Sequence, residues 1–362
     1  MLKEIVTSYQ HVSDSRLRPR IVAIYTLLVV LNVAAWGLAL ALFWDLPGTL
    51  SLCLLAYGFG LRHAVDADHI AAIDNVTRKL MQENKRPVAV GFYFSLGHST
   101  VVILMCFLVT LGTDFVKTHF PRFQEVGGVL GMSLSAAFLL LIAGINFVIF
   151  LEVYKSFRAA KTGKVLSEDA LQELLNGRGL LARILGPLFK LVGKSWHMYP
   201  IGFLFGLGFD TATEISLLGM AATQAAQQVP LWSIMVFPLL FTVGMCLIDT
   251  TDGLVMIGAY GWAFVKPMRK LFYNMAITLV SFLIALVIGS LEALSIIASK
   301  LNFEGGWWAY VNFLGENSGV LGYAIIGLLV MSWLASIIFY QVAKLDRFDE
   351  QQARRQIEEG IR

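Results

Sequence analysis

Charge is scarce in this chain: Asp, Glu, Lys and Arg make up 15% of its 362 residues, where soluble globular proteins carry about 25%. The shortfall is matched by 57% hydrophobic residues, which excludes an ordinary soluble domain. Cysteine is nearly absent as well. Cys53, Cys106 and Cys246 lie far apart inside apolar stretches, so neither a disulfide framework nor the CxxC spacing of a thiolate metal site is available. A net charge of +3 is too small to attract nucleic acid. Residues 186–195, GPLFKLVGKS, place six residues between two glycines where a phosphate loop needs four, so no nucleotide site is expected.

What the chain has instead is long apolar blocks, each able to cross about 30 Å of hydrocarbon as a helix. Blocks bounded by charge or turn residues predict an all-α polytopic membrane protein with eight spans, near 21–43, 49–74, 88–111, 126–151, 199–226, 231–258, 271–297 and 318–343. Residues 1–362 then form one transporter-like domain with a loop at 152–198, in which Ser167 caps a short helix from Glu168 to Leu175. With eight spans, 24 Lys and Arg fall on one face and three, Lys117, Arg122 and Lys300, on the other. The positive-inside rule therefore places both termini in the cytoplasm. The mixed charges of the first twenty residues, ahead of a long apolar block, fit a retained first helix better than a cleaved signal.

Against this background the polar residues within spans stand out, because an ionisable group at mid-bilayer costs at least about 2.5–3.5 kcal/mol. Span 2 holds Arg62, His63, Asp66, Asp68, His69 and Asp74; span 3 holds His98; span 5 holds Asp210 and Glu214; span 6 holds Asp249 and Asp252. Imidazoles and carboxylates together point to a divalent transition-metal cation, since carboxylates alone would suit protons, sodium, magnesium or calcium. The competing reading is that these groups pair with one another as glue between helices. Three imidazoles and six carboxylates in four short clusters, leaving aside Arg62 and the edge residue Asp74, weigh against it.

At about 100° per residue, His63, Asp66 and His69 share an arc of about 120° and can face one ion. Asp68 points away on a regular helix. Either the helix is broken here, or Asp68 orients an imidazole or pairs with Arg62 or a neighbouring helix; the second option is preferred. Asp210 with Glu214, and Asp249 with Asp252, present paired carboxylates on single helical faces, with Thr211, Thr213, Thr250 and Thr251 placed to orient them. His98 stands alone and would ordinarily be a satisfied structural histidine, but it adds nitrogen to a site otherwise short of it. Asn146 in span 4 is a neutral candidate of the same kind. Small residues four apart, Gly202 and Gly206 or Gly127, Gly131 and Ser135, allow close helix crossings, and spans 2, 3, 5 and 6 are expected to form an inner bundle. FGLRHAVDADHI in span 2 is echoed by FGLGFDTATEI in span 5. Those spans run in opposite directions, which raises an inverted repeat of spans 2–4 and 5–7 as one option.

RHAVDADHIAAIDN, LGHSTVV, LGFDTATEI and DTTDG, in this order and spacing, resemble the four signature segments of the nickel/cobalt transporter family and its high-affinity nickel permeases, over nearly the whole chain. The resemblance implies eight spans with cytoplasmic termini, in agreement with the charge count. It also implies that Asp68 matters, because the family's His, four residues, then Asp-His pattern falls on His63, Asp68 and His69. The resulting expectation is a multi-pass permease of the cytoplasmic membrane for divalent nickel, with cobalt as a second candidate cargo. No cofactor and no enzyme activity are expected. Nickel alone versus nickel with cobalt stays open. The alternatives are a membrane-embedded His/Asp metalloenzyme and a sensor or channel-like subunit that works only with partners. Release by protonation of an imidazole would weaken metal binding as pH falls through the histidine range.

Overall fold

The computed structural model describes residues 17–83, 85–111, 114–161, 192–208, 211–263 and 267–342, all helical or in short connections. The helices, in chain order, are α1 (Leu17–Phe43), α2 (Pro47–His63), α3 (Ala67–Gln82), α4 (Val90–Leu111), α5 (Asp114–Lys161), α6 (Met198–Gly206), α7 (Ala212–Ala226), α8 (Leu231–Ile234), α9 (Val236–Ala263), α10 (Pro267–Leu301), α11 (Gly306–Glu316) and α12 (Ser318–Val342). The helix expected from Glu168 to Leu175, Asp210 and the glycine-flanked 186–191 segment lie outside the described residues.

Among the described residues, five stretches are long and apolar enough to cross a membrane: Leu17–Phe43, Val90–Leu111, Val126–Lys155, Leu231–Gly258 and Met275–Leu301. A sixth is a bent pair, Gly306–Gly315 with Gly319–Ser332, folded by 77°. The loop expected before the last span therefore contains a helix of its own, α11. The expected spans 49–74 and 199–226 are not continuous helices. The first is split into pieces of 17 and 16 residues and the second into pieces of 9 and 15, each shorter than the about 20 residues that one crossing needs.

The first break runs through Ala64, Val65 and Asp66. Turn-type bonds from Val65 N to Arg62 O and from Asp66 N to His63 O close α2, and Asp66, at ψ 147°, restarts the chain as α3. Asp66 does not cap α3 with its side chain; its carboxylate is taken by His63. The break is packed tightly by α12, where a Cβ on Gly322 would fall 1.6 Å from Val65 O. The second break follows α6 at Leu207 and rests on α5, where a Cβ on Gly131 would fall 2.2 Å from Gly208 N.

α9 packs against α2, α3 and α4, and α4 packs against α6 and α7. α10 lies along α5 and also touches α12. The α9 span is 67% buried within the protein against 22% for α1, so α9 is an axial helix and α1 a peripheral one. Val22, Val29 and Val33 of α1 and Val320 and Met331 of α12 are exposed, as suits helices that face lipid. Tight crossings bring the inner helices together. A Cβ on Gly97 of α4 would sit 2.0 Å from Tyr199 O of α6, and one on Gly91 would sit 1.9 Å from Asp249 O of α9. Any side chain at these two positions would push the helices apart.

Candidate metal centre

The two breaks and α4 meet in a polar chamber. His63 ends α2, His69 lies in the first turn of α3, His98 faces inward from α4, and Glu214 stands in the first turn of α7. All four are almost fully buried. One ring nitrogen from each of His63, His69 and His98 lies within 4.8 Å of the others. His63 Nε2 and His98 Nε2 are 2.9 Å apart, and Glu214 Oε1 is 2.9 Å from His98 Nε2 and 4.0 Å from His63 Nε2. Nitrogens bound to one metal at about 2.1 Å can be at most about 4.2 Å apart, so the imidazoles need shift by less than an ångström to share an ion.

The outer ring nitrogens are held by carboxylates. His63 Nδ1 donates to Asp66 Oδ2 at 3.0 Å, and His69 Nδ1 donates to Asp249 Oδ2 at 3.2 Å. That arrangement fixes the tautomer and leaves Nε2 bare toward the chamber, as metal-binding histidines require. Ser95, one turn before His98 on α4, donates to the same Asp249 oxygen at 2.5 Å. Thr211 donates to Glu214 Oε2 at 2.9 Å and also approaches His63 Nδ1 at 3.4 Å. Phe94 meets His69 edge-on at 4.8 Å, and Phe241 lies 5.5 Å from His63. These rings form a dry wall that strengthens electrostatics inside.

His69 Nε2, His98 Nδ1, Asp66 Oδ1 and Asp249 Oδ1 are buried with no hydrogen-bond partner. Each such atom costs on the order of 1–3 kcal/mol when left unsatisfied, and His69 Nε2, left bare because Asp249 holds Nδ1, is a donor suited to a cation.

The remaining sequence candidates are distributed differently. Asp68 is only half-buried and lines a separate cavity with Arg62 and Thr211. The break removes the regular-helix geometry expected of span 2: Asp66 reaches the imidazoles by supporting His63, and Asp68 faces the neighbouring space. Asn146 donates to Asn75 Oδ1 in another cluster, where the fully buried Arg78 bridges Asn75 and Thr278. Asp252 stands one turn beyond Asp249 on α9, with a buried Oδ2 that has no hydrogen-bond partner. Thr251 bonds to Tyr25 and so does not orient a carboxylate. Ser95, Phe94 and Phe241 were not singled out from the sequence. Ser95 carried one signal, its position one turn from His98.

A family model described as high-affinity nickel-transport protein matches residues 49–339. The chain is 50% identical to the high-affinity nickel transport protein of Cupriavidus necator over 94% of this chain and 97% of that one. It is 43% identical to the high-affinity nickel-transport protein NixA of Helicobacter pylori, over 87% and 96%, and 36% identical to the cobalt transport protein NhlF of Rhodococcus rhodochrous, over 89% and 92%. No solved structure matches the chain. A family match across most of the chain, together with half-identity over nearly the full length of a relative, makes this chain a member of the high-affinity nickel-transport family.

Proposed function

We propose that the chain is a secondary permease that carries divalent nickel, with cobalt as a second cargo, across the cytoplasmic membrane into the cell. The observation that carries this reading is the convergence of three imidazole nitrogens within 4.8 Å, with Glu214 beside them, inside a bundle of apolar helices. The family is one of transport proteins, which disfavours an embedded metalloenzyme, and nickel is then substrate and not cofactor. A relative named for cobalt transport supports the wider cargo, since nickel and cobalt bind nitrogen and oxygen donors alike and are separated mainly by geometry and availability.

In this reading His63, His69, His98 and Glu214 hold the ion, and Asp66 and Asp249 keep the imidazoles aimed. Asp252, one turn beyond Asp249, adds negative charge, and Asp210 stays a candidate from its motif alone. The count of eight crossings, with α2/α3 and α6/α7 each spanning as a broken pair, is supported by the charge asymmetry between loops. The inverted repeat is supported by the two FGL segments, each of which breaks within a few residues of that tripeptide. Both termini lie in the cytoplasm on the same charge argument.

Uptake of radioactive nickel into vesicles containing only this chain tests the function. Accumulation that is blocked by excess nickel and reduced by cobalt is expected. Vesicles that bind metal but never accumulate it would overturn the permease.

A further inference from the structure

Beside the chamber lies a cavity of about 290 Å³ whose walls include Arg62, Asp68, Thr211, Glu292, Ser295 and Asn312. Its wall toward the imidazoles is Thr211, the residue bonded to Glu214 and 3.4 Å from His63 Nδ1. Thr211 thus borders both spaces. Glu292 and Ser295 are three apart on α10 and share a face. α11 closes the opposite wall closely enough that a Cβ on Gly315 would meet Ser295 Oγ at 3.0 Å.

The polar groups here are two carboxylates, hydroxyls, an amide and the Arg62 guanidinium, with no imidazole among them. Such donors suit a cation that keeps its waters, whereas the neighbouring nitrogens suit one that has lost them. Six waters at about 30 Å³ each occupy about 180 Å³, so the cavity accommodates a fully hydrated ion. Asp68 and Glu292 outweigh Arg62, which leaves the lining net negative. Glu292, Ser295 and Asn312 stand toward the end of α10 and on α11, the side that the charge asymmetry assigns to the exterior.

We propose that this cavity is an antechamber in which a divalent cation waits with its water shell intact, held through that shell by Asp68, Glu292 and Asn312, before it passes Thr211 to the imidazoles. The inference rests on the permease reading above. It gives Asp68 a place in the path without contact to the bound metal, and it adds Glu292, which no sequence pattern marked.

The test is the initial rate of radioactive nickel uptake by full-length protein in proteoliposomes. For a divalent ion near 7 Å in a water-like medium, loss of one charge in Glu292→Gln should raise KM roughly five- to tenfold and leave the maximal rate in place. That difference should shrink in about 1 M salt, where the screening length falls to about 3 Å. Asn312→Asp should move KM the other way, which keeps the idea testable if Glu292→Gln fails to fold. Nickel binding at the imidazoles in detergent should be the same in wild type and Glu292→Gln. Equal KM values, a KM ratio insensitive to salt, or a fall in maximal rate alone would overturn the antechamber. Absence of any uptake by wild type would instead overturn the permease itself.

Discussion

An imidazole whose Nδ1 is held by a carboxylate has only its far nitrogen to offer, and two of the three histidines here are set that way. His63 and His69 should therefore lose function in two degrees. His63→Ala or His98→Ala, each removing a chamber nitrogen, should abolish saturable nickel binding measured by equilibrium dialysis at matched folded protein. Asp249→Asn keeps the shape but not the charge that orients His69, and should lower nickel affinity by about 10–100-fold. Asn146→Ala should leave that affinity unchanged while it lowers the melting temperature in detergent, because it opens the buried Asn75–Arg78–Thr278 cluster. Loss of nickel binding in Asn146→Ala would contradict this division of roles. The first two histidines were legible in the sequence because they sit in one dense motif. His98 was legible only as an isolated polar residue in an apolar helix, since its partners stand 35 and 116 positions away. Asp66, expected on one helical face with His63 and His69, instead restarts the chain and bonds His63 Nδ1, as helical angles hold only where the helix continues.

At the scale of elements, the inner bundle depends on backbones meeting without side chains between them. Gly91→Ala would place a Cβ 1.9 Å from Asp249 O, whereas Gly37 on α1 has nothing within 4 Å of its added Cβ. Gly91→Ala should therefore strongly reduce the yield of folded protein on size-exclusion chromatography, and Gly37→Ala should not. Equal yields would mean that α4 and α9 do not approach as described. The same logic extends to Gly322, whose side-chain-free face receives the carbonyl of Val65. The apolar blocks announced where helices lie because hydrocarbon thickness dictates their length. They did not announce the breaks. No glycine or proline marks residues 64–66; the chain breaks there because Asp66 is drawn to His63 and because α12 offers a groove for Val65. The first is a local i,i+3 contact and the second is tertiary, and only the tight packing expected at Gly127, Gly131, Gly202 and Gly206 hinted at how closely neighbours would crowd.

For the whole molecule, orientation follows from where the cationic residues collect, and it is open to chemical labelling. Cys53, Cys106 and Cys246 are all free and buried, so native background should be low. Glu304→Cys, at an exposed position between α10 and α11, should react with a membrane-impermeant maleimide in intact cells. Lys85→Cys, exposed after α3, should react only in inverted vesicles. The opposite pattern would reverse the assigned sidedness.

The two broken crossings bear on how such a molecule moves its cargo. Each is a pair of short rods whose junction borders the chamber, so the two rods of a pair can be held by different neighbours. α3 is tied down by Asp74 to Ser281 and by Arg78 to Thr278, both on α10, whereas α2 has no such tether to that helix among the described bonds. The two rods of this crossing are thus anchored to different helices, since a Cβ on Gly60 of α2 would fall 2.1 Å from Phe241 O of α9, and α12, just past its 77° elbow with α11, meets them where they join, at Val65.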